Sequence, residues 1–155
     1  MTRTRIGWAT AALAVALCSP ARGAAQASPD MNFFVAGVGA AWGADQSALV
    51  VSDQQCTDLA YAQGFGHLTW HAYLTEGNQR ARDRIGQGPW YNYYGVLIAE
   101  NVQQLHSDDN NLWKESAVTV TGDYPPEGLA LPMGSKLDGT LYTRAGPLFC
   151  FGLPN

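Results

Sequence analysis

The sequence predicts a small, loop-rich fold of short strands with one main helix, closed end to end by a single pair of cysteines. Three observations point there. Charged residues make up only 14% of the chain while 17 glycines and 11% aromatic residues are present, a balance that suits an extracellular, loop-rich fold better than a helical bundle. The hydrophobic pattern switches several times between alternation and helical spacing. Of the three cysteines, Cys56 and Cys150 alone remain once an N-terminal export signal is set aside.

That signal is read from Arg3 and Arg5 ahead of an apolar run, Trp8 to Leu17, and from small residues ending in Ala25-Gln26-Ala27. These are a charged n-region, a short h-region and an A-x-A cleavage site. The run is too short to cross a bilayer, and Leu17 stands before Cys18 where a lipoprotein signal needs a small residue. A cleaved signal over residues 1–27 is therefore expected, with no membrane insertion and with one domain over 28–155 that is secreted or periplasmic. Disulfides persist there, and a bridge closing so long a loop stabilises by about 4–5 kcal/mol on the chain-entropy account. The alternative is two separately buried thiols.

Net charge is −4, and the signal removes Arg3, Arg5 and Arg22. The remaining acidic surface argues against nucleic acid, polyanions and anionic lipid as partners.

Taken in order, Met31 to Val38 is an apolar, β-branched run expected as a first strand, ending in the glycine-rich stretch Gly37 to Gly43. Ser52 with Gln55 three residues on forms a capping-box pattern for a helix. Cys56, Leu59 and Ala60 repeat at helical spacing until Gly64, so Cys56 should point inward. From Leu68 to Leu74 apolar Leu68, Trp70, Ala72 and Leu74 alternate with His67, Thr69, His71 and Tyr73, the pattern of a half-buried strand. Asn78 to Ile85 reads as a short exposed helix ended by Gly86. Gly86-Gln87-Gly88-Pro89 is a sharp turn into Trp90, Tyr91, Tyr93 and Tyr94. Val96 to Ala99 reads as a strand, Val102 to Leu105 as a helical turn, Asp108 to Asn111 as a polar loop and Ala117 to Thr121 as another strand. Gly122 to Gly139 is a long Pro- and Gly-containing segment, and Pro147 to Leu153 a closing strand that carries Cys150.

Few residues carry catalytic potential. His67 and His71 share one strand face two pleats apart and do not converge on one ion, and His106 with Asp108 and Asp109 lacks the spacing of a calcium loop. No nucleophile turn, phosphate cradle or zinc-binding helix pair is present, so no enzyme is expected. A binding role is better supported. Trp90, Tyr91, Tyr93 and Tyr94 gather amphipathic rings around Asn92 beside a Gly-Pro turn, and such rings stack on sugars while amides and carboxylates hold hydroxyls. The competing reading is that the rings merely cover the core. The expected ligand residues are Trp90, Tyr91, Asn92, Tyr93 and Tyr94 with Asp108, Asp109, Asn110 and Asn111, and the expected partner is carbohydrate or a protein surface.

Met31-Asn32-Phe33-Phe34-Val35, Gly43-Ala44-Asp45, Asp53 to Ala60 and Thr69 to Leu74 carry a resemblance, as do Ala81 to Gly86 with Gly88 to Asn92, and Leu105-His106 through Asn110-Asn111-Leu112. Together they resemble a family of exported bacterial proteins labelled lectins, similar in pattern to the C-type-lectin-like fold including its endostatin branch. The match runs from Met31 to about Thr140, and Ala81 to Asn92 is its most specific part. The resemblance implies an α+β, C-type-lectin-like fold of small mixed antiparallel sheets with one main helix and long loops. It also implies that Cys56 and Cys150 form the outer disulfide and that Gly146 to Phe151 is the closing strand.

The chain departs from that family before the closing strand. A longer segment with two further cysteines, a tryptophan-rich stretch and a histidine is replaced by Leu141 to Ala145, so the inner disulfide is absent. Sugar-binding C-type lectins hold calcium through Glu-Pro-Asn or Gln-Pro-Asp and Trp-Asn-Asp; here only Lys136-Leu137-Asp138 stands near the first position. Calcium takes six to eight oxygens and Asp138 alone does not supply them. No cofactor and no calcium-dependent site is expected; Asp108 to Asn111 is the densest source of oxygens were a cation to bind. The expected function is a lectin-like binding module, carbohydrate-binding without the usual calcium site, with a non-sugar protein-interaction or envelope-structural module as the alternative.

Overall fold

A computed structural model describes residues 26–38, 48–113, 115–125 and 147–155. The expected signal segment lies outside them apart from its last two residues, as do most of the two glycine-containing stretches and Lys136-Leu137-Asp138. In chain order the elements are β1 (Phe33–Val38), α1 (Ala48–Ala62), β2 (Leu68–Ala72), α2 (Ala81–Arg84), β3 (Trp90–Tyr91), β4 (Leu97–Ala99), α3 (Val102–Leu105) and β5 (Pro147–Pro154). They make a small α+β domain with antiparallel sheets and short helices.

The main sheet has the order β1-β5-β2, with β5 antiparallel to both neighbours. Phe33 opposes Phe151, Phe34 opposes Cys150, and His71 opposes Phe151 from the other side. Side chains alternate across a pleated strand, and this sheet buries both faces. Phe34, Ala36, Leu148, Cys150, Trp70 and Ala72 enter one core with Leu49, Cys56 and Ala60 of α1. Phe33, Val35, Phe149 and Phe151 enter a second core with Trp90, Ile98, Ala81, Ile85, Val102 and Leu105. Burial on both faces accounts for the unbroken apolar run in β1. Phe33 and Phe34 are both fully buried, each contributing about 1.5–3 kcal/mol by leaving water.

Cys56 and Cys150 are joined in a disulfide that ties α1 to the central strand inside the first core, at a sequence separation of 94. Both cysteines are fully buried, as the inward reading of Cys56 requires.

Three expectations are corrected. Helix α1 is already formed at Ala48, four residues before the expected cap, and the N–H of Ala48 donates to Oε1 of Glu76 (2.9 Å). A distant carboxylate thus caps the helix, and Ser52 lies inside it, fully buried with Oγ unpartnered among the described residues. Tyr73, placed by alternation on the polar face of β2, is 2% exposed because the second core covers that face: its ring packs on Phe151 and His106. Ala117 to Thr121 is not a strand. Val118 O accepts from Val35 N–H (2.9 Å), but the chain turns back at once through Thr119 N–H to Asp123 O (2.8 Å). The alternation there records Val118 and Val120 dipping into the first core.

The other elements fall close to where their patterns place them, with a further correction at α2. α2 is shorter than its segment and is not wholly exposed, since Ala81 and Ile85 are fully buried. α3 is capped by Asn101, whose side chain accepts from Gln104 N–H (2.9 Å).

Candidate functional site

The turn from α2 into β3 is fixed from two sides. Gly88 precedes a cis peptide to Pro89, and a Cβ on Gly88 would stand 2.7 Å from the backbone oxygen of Glu100, so only glycine fits. On the other side, the Asn32 side chain donates to Pro89 O (2.9 Å) and accepts from Tyr91 N–H (2.7 Å). The Asn32 backbone N–H donates to Tyr91 O (3.1 Å). The residues leading into β1 therefore clamp the turn rigidly.

Between this turn and the end of β5 lies a groove of about 430 Å³, lined by Asp30, Gln87, Pro89, Tyr91, Leu153 and Pro154 among others. Trp90 contributes from beneath, at 1% exposure. Asp30 is the one charged side chain in the lining. Ring and aliphatic surfaces beside an amide and a carboxylate suit a ligand with apolar faces and hydroxyl edges.

The expected ligand residues separate into three groups. Trp90, Asn92 and Tyr93 are interior, as in the competing reading in which these rings cover the core, though Trp90 still borders the groove. Trp90 meets Phe151 edge-on, with ring centroids 5.4 Å apart. Asn92 donates from Nδ2 to Ser116 O (2.9 Å), and its Oδ1 accepts from the N–H groups of Tyr94 and Val96 (both 3.0 Å). A fully buried amide must satisfy its polar atoms inside the protein, and this one shapes the loop in doing so. Tyr93 belongs to the first core.

Tyr91 and Tyr94 keep ligand-accessible surface. Tyr91 is half-buried in the groove wall, and Tyr94 is 55% exposed. The Tyr94 hydroxyl donates to Gly122 O (2.7 Å), and its ring meets that of Tyr93 at 5.1 Å and 82°. Gly122 has φ +84°, and a Cβ there would fall 2.6 Å from Tyr93 Cδ1.

The third group is the polar loop. Asp108 and Asp109 are exposed, whereas the Asn110 side chain bonds Ser107 O and Leu112 N–H and the Asn111 side chain donates to Leu97 O (3.1 Å). None of the four lines the groove, so the aromatic turn and the loop do not share that cavity. Among the described residues, no three His, Cys, Asp or Glu side chains gather as metal ligands.

Sequence reasoning missed two polar clusters. Asp53 of α1 accepts from Ala72 N–H (2.7 Å) and from both Nη atoms of Arg84, while Arg84 Nη1 also donates to Ala72 O (2.9 Å). His71 Nδ1 lies 3.4 Å from the same carboxylate. Burial raises the affinity of Asp53 for a proton, but bonds from His71, Arg84 and Ala72 together with the Arg84 charge outweigh it and hold its pKa below the ordinary value. A polar depression of about 470 Å³ opens beside Arg84, lined also by His71, Asn78, Gln79, Arg80 and Asp83.

In the second cluster His106 Nδ1 faces Val102 O, which only accepts, so the neutral ring carries its proton there and receives the Tyr73 hydroxyl at Nε2. Burial lowers the His106 pKa; the bond to Val102 opposes this and the Arg82 charge adds to it. The alternation of β2 places His71 and Tyr73 on one face, a partial signal, but nothing local announces partners 18 to 33 residues away.

No protein-family model, curated protein or solved structure matches this chain. Among the described residues, no helix is long and apolar enough to cross a membrane.

Proposed function

We propose that this chain is a secreted or periplasmic binding module with a C-type-lectin-like fold, and that it holds carbohydrate without calcium. The observation that carries the reading is the groove at the clamped turn, where Pro89, Tyr91 and Leu153 present apolar surface beside Gln87 and Asp30. A pyranose needs that pairing of a flat apolar wall with hydrogen-bonding groups. The α+β architecture and the disulfide between α1 and the closing strand agree with the family resemblance of Met31 to Thr140. Among the described residues the groove lining offers ring, aliphatic, amide and carboxylate surface, the composition of a binding site.

A glycan array followed by titration of tryptophan fluorescence tests this, with Trp90 beneath the groove as the reporter. Saturable binding weakened by Tyr91→Ala or Gln87→Ala, and unchanged by calcium or a chelator, is the expected result. A blank array across neutral, amino and acidic glycans defeats the carbohydrate reading and turns attention to a protein partner.

A further inference from the structure

Resting on that reading, we propose that the groove selects sugars bearing a protonated amine over their N-acetylated and acidic counterparts, and that Asp30 is the selecting residue. Its carboxylate shares a cavity of about 430 Å³ with the ring of Tyr91 and the aliphatic surface of Pro89 and Leu153. The polar groups of that lining differ in what they have left to offer. Asn32 is committed to the protein, its Nδ2 on Pro89 O and its Oδ1 on Tyr91 N–H. Among the described residues Asp30 makes its one hydrogen bond through the backbone N–H, to Ser28 Oγ (3.3 Å), and its carboxylate has neither a donor nor an ion-pair partner.

The cations of the described residues are engaged elsewhere. They hold no lysine, and their arginines all lie in or beside α2. Arg80 pairs with Asp83, Arg84 pairs with Asp53, and the charge of Arg82 bears on His106. None of the three lines the groove, so an anionic ligand meets no counter-charge there and a cationic one meets an unneutralised carboxylate. The whole chain adds to that preference with its net charge of −4.

An ionised carboxylate only accepts hydrogen bonds, so its partner must bring donors. A sugar ammonium brings three together with a positive charge; an N-acetyl group brings a single neutral N–H, and a uronate brings a like charge. The apolar wall supplies what an amine alone does not use, a surface for the flat face of the ring that carries it. Asp30 is also held in place. Ser28 N–H donates to Tyr93 O (2.8 Å), Met31 N–H donates to Ser28 O (3.0 Å), and Met31 is fully buried. With Asn32 clamped on the turn, the backbone is anchored on both sides of Asp30, so little freedom is lost when a ligand docks.

The experiment titrates the protein with identically linked tetramers of glucosamine, N-acetylglucosamine and glucuronic acid, and with tetralysine, at about pH 5.5, where carboxylates are ionised and sugar amines protonated. At low ionic strength the glucosamine tetramer is expected to bind about 2- to 5-fold tighter than the N-acetylated one, an advantage that shrinks in about 0.5 M salt. The glucuronic acid tetramer should bind most weakly of the sugars, and tetralysine more weakly than the glucosamine tetramer. Asp30→Asn should bring the ratio of the glucosamine and N-acetylglucosamine affinities to about one. Asp58→Asn removes the same charge from an exposed site on α1 outside the groove and should leave that ratio in place. Melting curves show whether each variant is folded; if Asp30→Asn is not, the salt dependence of the ratio in the unaltered protein decides. Equal binding of the two tetramers, a ratio that survives Asp30→Asn, or one that Asp58→Asn lowers as much overturns the selection and leaves the carbohydrate reading standing. Tetralysine binding as tightly as the glucosamine tetramer overturns it too, because charge without a sugar ring then suffices. No binding by any sugar, with a blank array, overturns both.

Discussion

Asp53 and Arg84, 31 residues apart, meet across the outer edge of β2 and complete the hydrogen bonding of Ala72 on both its N–H and its carbonyl. Two side chains thereby do what a neighbouring strand would do at an open sheet edge, and they hold α1 and α2 to the same point. A capped edge no longer offers those backbone groups to another chain.

Breaking this pair should be expensive. Arg84→Ala leaves a carboxylate that is three-quarters buried without its counter-charge, with an expected loss of about 2–4 kcal/mol in urea unfolding. Arg84→Lys, which lacks the fork geometry, should recover only part of it.

The same pair predicts acid sensitivity. Because the folded pKa of Asp53 lies below its unfolded value of about 3.9, its contribution is fully present above that pH and is lost as pH falls through the folded value. Plotted against pH, the stability difference between the unaltered protein and Asp53→Asn should shrink below about pH 4. A constant difference down to pH 2 would show that the carboxylate charge is not what matters.

His106 should act at milder pH. Its folded pKa is depressed below the unfolded value of about 6.5, so the stability it contributes is present above that pH and declines as pH falls through the folded pKa. Protonation also obliges the Tyr73 hydroxyl to stop donating to Nε2. His106→Gln should flatten this part of the stability profile, and proton titration of the ring by NMR should give a midpoint below 6.5 that Tyr73→Phe displaces.

The disulfide spans 94 residues, and its reduction should cost about 4–5 kcal/mol. Mass spectrometry under non-reducing conditions should find the linked peptides, and a reducing agent should lower the melting temperature by more than ten degrees, at roughly 4 °C per kcal/mol for a domain of this size.

Gly122→Ala tests the packing of the Tyr93–Tyr94 pair. A methyl there has both an unfavourable φ and a collision with the Tyr93 ring, so a loss of about 1–3 kcal/mol is expected together with altered near-ultraviolet circular dichroism from the tyrosines.

Much of the fold was legible because its signals are local. The apolar run of β1, the helical spacing around Cys56, the turn before Trp90 and the helical turn Val102 to Leu105 each specify themselves within a few residues. What could not be read depends on distant partners. Ser52 has the form of a cap, but the helix start belongs to Glu76; Tyr73 alternates as a solvent-facing residue, but a second layer folds over it. At the aromatic turn the sequence did not separate the buried rings from the exposed ones. Periodicity does not distinguish a tyrosine that roofs a core, such as Tyr93, from one that stands free, such as Tyr94, because that depends on where residues 116–122 cross.

The position of β5 has a consequence for how the protein comes into being. The central strand is the last of the described elements along the chain, so among the described residues β1 and β2 do not gain their shared sheet partner, nor Cys56 its disulfide partner, until residues 147–154 have been made. Every earlier length of chain lacks the strand that joins the sheet, which makes the folding step a single late event dominated by long-range closure.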